Sequence, residues 1–121
     1  MPLIEILKPD FEHIDERGRL AQLVHGGYSQ VNAVFTKKGA VRGNFHYHRG
    51  TDEVFYLLSG KVRVTARFGG ETAHSEFKSG DMFRIKAGVR HCFEYIEDTY
   101  LVALYSARVE LADGSKDIYS D

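Results

Sequence analysis

The stretch GNFHYHRGTDEVFYLLSG, residues 43–60, decides how the chain is read. It sets His46 and His48 two positions apart, passes through the turn residues RGTD, and resumes at Glu53 with an apolar run that closes on Gly60. In a strand, alternate side chains share a face, so the two histidines project together while Phe45 and Tyr47 take the other side. A rise of roughly 3.3 Å per residue puts their backbones about 6.6–7 Å apart. Two imidazoles at that spacing can converge on one ion with bonds of about 2.0–2.2 Å. The turn then returns Glu53 to the start of the next strand, where it is a plausible third ligand. Taken alone, an H-x-H pair is most simply two polar groups on a solvated face.

A second segment changes that balance. GDMFRIKAGVRHCFEY, residues 80–95, reads as strand, turn and strand, punctuated by Gly80 and Gly88, and it delivers His91. Three imidazoles and one carboxylate form a nitrogen and oxygen donor set suited to a divalent ion such as iron, manganese, nickel, copper or zinc. No cysteine belongs to the set, which argues against a structural thiolate zinc site. The single cysteine, Cys92, follows His91 and therefore points away into packing; alone, it excludes an internal disulfide.

The remainder alternates in the same way. LIEIL (3–7), LAQLVH (20–25), QVNAVFT (30–36), KVRVTARF (61–68) and YLVALYSARV (100–109) are short, apolar and bounded by turn residues. Residues 61–77 read as a hairpin with Gly69 and Gly70 at its tip. No window keeps a helical period. About ten such strands predict an all-β sandwich or barrel. With 121 residues the expectation is one domain over 1–121, its core at roughly 20–109. Sixteen basic against seventeen acidic residues leave no basic stripe, which excludes a nucleic-acid binder. No apolar run approaches a membrane span of ~18 residues, and the start lacks a basic and apolar leader. A cytoplasmic protein is the default expectation.

At these residues the chain resembles the cupins. Their first motif, G-x5-H-x-H-x3-4-E-x6-G, is matched by His46, His48, Glu53 and Gly60, with Ala40 where the leading glycine falls. Their second, G-x5-P-x-G-x2-H-x3-N, is matched by Gly80, Gly88 and His91, with Lys86 for the proline and Tyr95 for the asparagine. Nineteen residues, 61–79, separate the motifs, as in compact microbial cupins. The resemblance implies a double-stranded β-helix, or jelly roll, with His46, His48, Glu53 and His91 as metal ligands inside the barrel.

Three further stretches, DERGRL (15–20), QVNAVFTKKGAVRGN (30–44) and the approach to the histidines, are similar to cupins acting on nucleotide-linked sugars: capsular-polysaccharide assembly domains, sugar 3,4-ketoisomerases and dTDP-sugar epimerases. That likeness implies that Arg17 and Arg42 hold a diphosphate or a sugar hydroxyl, since guanidinium forks suit phosphate oxygens. Gln30 and Asn32 share a face and could hydrogen-bond the sugar. The capsular domains run RGN directly into H-x-H, whereas here Phe45 intervenes, which puts Arg42 one residue out of register. The implied chemistry is removal of a proton beside a ketone and its return to another face or carbon. Tyr95, four residues after His91 on the same strand face, is the best-placed proton donor, with Tyr56 and Tyr105 as further substrate contacts; for each, a packed aromatic is the simpler reading. In related ketoisomerases a histidine of the H-x-H pair resembles the base and no metal is needed, so ligand and base roles compete for His46 and His48. An iron dioxygenase and a non-catalytic small-ligand binder remain alternatives. His13, His25 and His74 are expected to be solvated, and the tail ADGSKDIYSD (112–121) frayed or loosely docked. The exposed first strand leaves an unpaired edge that a homodimer would cover.

Overall fold

The computed structural model describes residues 2–121. Eleven strands follow one another: β1 (Glu5–Leu7), β2 (Phe11–Asp15), β3 (Gly18–Gln22), β4 (Gln30–Thr36), β5 (Val41–His46), β6 (Glu53–Ser59), β7 (Lys61–Phe68), β8 (Glu71–Lys78), β9 (Met82–Ile85), β10 (Arg90–Tyr95) and β11 (Thr99–Tyr105). They form a five-stranded sheet in the order β1-β9-β6-β11-β4, a four-stranded sheet in the order β5-β10-β7-β8, and the separate hairpin β2-β3. All pairings are antiparallel. No helix among the described residues is long and apolar enough to cross a membrane. The all-β fold expected from the alternation forms, with the jelly-roll architecture that the cupin resemblance implied.

The period of two places the core. Phe55 and Leu57 from β6, Phe83 and Ile85 from β9, and Leu101 and Ala103 from β11 meet Val62, Val64, Phe77 and Phe93 from the opposite sheet. Phe77 and Phe83 stack with ring centroids 3.9 Å apart, and Phe55 packs on both Phe83 and Phe93. Burying such side chains contributes about 1.5–3 kcal/mol each, so this stack is what holds the two sheets together. On the other side of β6, Val54 and Tyr56 join Met82 and Leu104 in a second cluster, covered by Leu23, Val24 and Tyr28 of the N-terminal segment.

Gly60 turns β6 into β7. Its φ is +93°, and a Cβ there would run into the backbone of Asp98 and Thr99, so the close approach of the two chain segments requires glycine. The expected hairpin forms as β7 and β8, with Lys61 opposite Lys78 and Phe68 opposite Glu71 around the Gly69–Gly70 tip.

The tail does not fray. Tyr47 and Tyr119 pair as an antiparallel bridge, Val109 accepts from the amide of Asp117, and Asp117 is buried. Polar composition suggested a solvated end; the physical reason for the difference is that these polar groups find unpaired backbone amides on the loop after His48.

Candidate active site

β5 and β10 run side by side with His46 opposite His91 and Arg42 opposite Phe93. Between those two rungs β5 carries Gly43, Asn44 and Phe45 against Cys92 alone, a bulge. All three bulge residues lie in the left-handed region, at φ of +96°, +35° and +60°. A Cβ on Gly43 would sit 2.9 Å from the His91 carbonyl oxygen. Asn44 and Phe45 hold the same conformation without glycine's freedom, a local strain of the kind found beside functional sites. The Arg67 guanidinium lies 4.0 Å above the Phe45 ring and helps to hold it. The extra residue that seemed to misdirect Arg42 is thereby absorbed, and Arg42 lines the same cavity as His91.

The four expected ligands converge. One donor atom from each of His46, His48, Glu53 and His91 lies within 4.8 Å of the others. His48 and Glu53 are buried, as is His91, and His46 is half-buried. Glu53 Oε1 lies 2.6 Å from His48 Nε2 and 3.1 Å from His91 Nε2. On their far sides both rings donate from Nδ1 to backbone carbonyls, His48 to Asp117 and His91 to Val89. A carbonyl only accepts, so each Nδ1 carries the proton and, in the neutral ring, each Nε2 offers a lone pair inward. The approach of His48 Nε2 to Glu53 Oε1 is an ion-pair distance without hydrogen-bond alignment: both atoms are buried and lack a hydrogen-bond partner. Electron pairs crowded in this way call for a cation between them, either a proton on the imidazole or a metal ion. The donor set and its outer carbonyl contacts fit a divalent ion.

The charges respond accordingly. Burial would raise the Glu53 carboxyl, but the His48 and His91 imidazoles beside it prevail and bring it to about 2. Burial works against protonation of His48, yet Glu53 outweighs it and the ring is raised. His46, desolvated and facing His91, falls to about 4.

A cavity of about 230 Å³ opens onto this cluster. Asn32, Arg42, Glu53, His91, Tyr95 and Tyr105 supply its polar lining, and Phe55, Phe93, Leu101 and Ala103 part of its apolar wall. Burial raises the Tyr95 phenol, and burial together with the Glu53 charge pushes Tyr105 up to about 12, so both stay protonated at neutral pH. Asn32 approaches the Tyr105 hydroxyl at 3.5 Å, and Arg42 donates from Nε to Thr36 Oγ1 at 2.8 Å. A larger depression of about 860 Å³, between residues 6–12 and 76–82, holds none of these groups.

Four expectations need correction. Arg17 lies at the tip of the β2-β3 hairpin, its side chain 81% exposed and paired with Asp15, outside this cavity. Tyr56 alternates with Glu53 and Phe55 along β6 and therefore faces the second cluster. Gln30 stands off the cavity wall because its side-chain oxygen accepts from the Val109 amide. His48 and His46, the two expected base candidates, also lie off the wall, His48 against Glu53, whereas His91 is on it. Cys92 is buried as expected, and His13, His25 and His74 are exposed. Two participants escaped the sequence reading, Thr36 and Asp117; the even spacing of Thr36 from Asn32 was the available signal for the first.

The cupin-domain family matches residues 34–106. No curated protein matches the sequence. Among solved structures, the chain is similar to the 3,4-ketoisomerase QdtA of Thermoanaerobacterium thermosaccharolyticum in complex with TDP-4-keto-6-deoxyglucose, at 18% identity and a TM-score of 0.83, over 100% of this chain and 89% of that one. It is similar to the TDP-quinovose 3,4-ketoisomerase WlaRB of Campylobacter jejuni at 18% identity and a TM-score of 0.79, covering 97% and 94%. A dTDP-4-dehydrorhamnose 3,5-epimerase from Sulfolobus tokodaii aligns at 23% identity and a TM-score of 0.72, covering 84% and 69%. The family match spans β5, β6 and β10, the strands on which the cluster is built, and the chain belongs to the cupin family.

Proposed function

We propose that this cupin is an isomerase or epimerase acting on a nucleotide-linked keto-deoxy sugar. The observation that carries the reading is the cavity itself: two protonated phenols, an imidazole and a buried carboxylate converge where a sugar ring would enter. At about 230 Å³ it is smaller than the ~300–1,000 Å³ of pockets for drug-sized ligands. It therefore suits one sugar ring, with the nucleotide outside and its diphosphate within reach of Arg42 at the mouth. The barrel shared over nearly the full chain with the two ketoisomerases supports the same choice.

In this mechanism the ketone end of the sugar enters toward His91 and Glu53. With no metal on its Nε2, His91, the imidazole on the wall, takes the proton from the carbon beside the ketone; the Tyr95 phenol returns one to the other face of that carbon, or to the former ketone carbon as the adjacent hydroxyl proton passes to the former ketone oxygen. Asn32 and Tyr105 orient the ring hydroxyls. His48 contributes by keeping Glu53 ionised behind the reacting atoms. If a divalent ion is bound, His46, His48, Glu53 and His91 would hold it; it would supply Lewis-acid stabilisation of negative charge on the ketone oxygen, and His91 would then serve as a ligand and not as the base. A second reading, a metal-dependent enzyme of another class such as an iron dioxygenase, draws on the same three-histidine, one-carboxylate cluster.

The functional unit is a homodimer. The β2-β3 hairpin joins neither sheet and exposes Phe11, Ile14 and Leu20, a surface that a second copy would cover.

Incubation with a nucleotide-linked 4-keto-6-deoxyhexose in heavy water tests the reaction. Deuterium is expected at the carbon beside the ketone, and a product without label would defeat the sugar reading. Metal analysis of protein purified without chelators separates the two readings: an empty, still active site removes the dioxygenase.

A further inference from the structure

The C-terminal segment contributes more to this site than its composition suggests. Asp117 is 6% exposed, although its neighbours Lys116 and Ile118 are exposed. Its carboxylate accepts from the Arg49 amide at 2.8 Å, the Gly50 amide at 2.9 Å and the Thr51 hydroxyl at 3.0 Å. Those three groups belong to the first three of the four residues that join His48 to Glu53, two of the four cluster residues. The main-chain carbonyl of the same residue accepts the Nδ1 proton of His48. One residue, 69 positions away along the chain, thus fixes both the loop and the ring that the loop carries.

The rest of the segment holds that residue in place. The Asp117 amide donates to the Val109 carbonyl at 2.8 Å, and Tyr119 exchanges two backbone hydrogen bonds with Tyr47, each 2.9 Å. Tyr47 lies between His46 and His48. The Arg49 guanidinium lies 4.0 Å over the Tyr119 ring, and Arg90 reaches both the Tyr47 ring and the Asp121 carboxylate. Apart from the one to Val109, each of these contacts lands within three residues of His46, His48 or His91.

We infer that residues 109–121 are a strap that docks across the mouth of the H-x-H turn, and that Asp117 is a positioning residue which fixes the tautomer and aim of His48. A bare loop at residues 49–51 would leave two amides and a hydroxyl without acceptors, and His48 free to rotate about χ2. With the strap in place Nδ1 is committed to a carbonyl and only Nε2 can face Glu53. This follows from the geometry whether the cluster holds a metal ion or works as imidazoles alone.

The test follows the imidazole itself. Nitrogen-15 NMR of the wild-type protein should find a proton on His48 Nδ1; a bare Nδ1 overturns the inference outright. Asp117→Ala should remain folded by circular dichroism, lose that Nδ1 proton signal to exchange, and bind Co²⁺ about 10–100-fold more weakly, the range for loss of an outer-shell contact. Asp117→Asn, which keeps one acceptor oxygen, should fall between. A folded Asp117→Ala protein with the wild-type His48 signal and wild-type Co²⁺ affinity would sink the strap. Should Asp117→Ala not fold, Thr51→Val removes one of the three contacts and is read the same way. Failure of the wild type to bind Co²⁺ would remove the metal reading alone, since the His48 signal still decides the strap.

Discussion

The Tyr95 hydroxyl is the atom on which the proposed proton transfer turns. Its side chain comes from β10, two residues beyond Phe93 and four beyond His91 on the inward face, and burial keeps the phenol protonated. Tyr95→Phe removes one oxygen and leaves the ring packed against Phe93. General acid–base catalysis contributes about 10²–10⁴-fold, so kcat should fall by roughly that factor with little change in thermal midpoint. A kcat within twofold of wild type would assign the donor elsewhere. The imidazoles make a second prediction, for protein stripped of metal. His46 is depressed to about 4 from 6.5, so the unfolded chain binds the extra proton between those values and stability is lost as pH falls through that window. Glu53, lowered to about 2 from 4.5, adds a further loss below about 4.5. His48 is raised above 6.5, so its contribution is complete below that pH and declines on the alkaline side. The thermal midpoint in chelator should therefore peak near pH 6.5, and a midpoint that rises steadily into alkaline buffer would contradict the His48–Glu53 pairing.

Among the elements, β5 is the one whose irregularity has a purpose. Two strands in plain antiparallel register would offer one residue of β5 for each residue of β10. The Gly43–Phe45 bulge instead lets His46 face His91 while Arg42, on the far side of the bulge, still lines the cavity. Gly43→Ala would place a methyl 2.9 Å from the His91 carbonyl at a φ of +96°, so β5 must move off β10. Strain at such positions costs on the order of 1–3 kcal/mol. The expected outcome is a thermal midpoint several degrees lower and weaker retention of Co²⁺, read together because the same displacement separates His46 from His91. Wild-type values for both would show that the bulge is incidental. The element also explains what the sequence could and could not reveal. H-x-H, Glu53 and His91 are legible because strand parity and turn length are local properties, and they send side chains to one face. Parity from Glu53 also turns Tyr56 to the opposite face of β6, a consequence available from the sequence alone. Arg42 was ambiguous because a bulge changes parity without leaving a signature beyond its glycine. Asp117 was invisible, since nothing near it in sequence announces three unpaired donors 66–68 residues earlier.

At the scale of the molecule the N-terminal hairpin calls for a cover. A two-stranded hairpin is at best marginally stable alone in water, and β2-β3 pairs with no other strand. It nevertheless exposes Ile14 at 70% and Leu20 at 58%, and β1, at the edge of the larger sheet, exposes Ile6 at 69%. β4, the opposite edge, is patterned inside out: Asn32 and Thr36 face inward, while Val31 at 63% and Phe35 at 40% face out, with Tyr100 beside Phe35. Apolar surface gathered at both edges of one sheet suits an interface better than solvent. The Arg19 side chain already reaches Gly80 from the hairpin, so the hairpin is held in a defined place from which a second copy can be engaged. Light scattering on the purified chain at micromolar concentration should therefore return about twice the chain mass. Ile14→Asp together with Leu20→Asp should shift that mass to the monomer while the cluster still binds Co²⁺, because none of its four ligands lies on the hairpin. A wild-type monomer would refute the assembly, and a double variant that stays dimeric would move the interface from the hairpin to the outer face of β4.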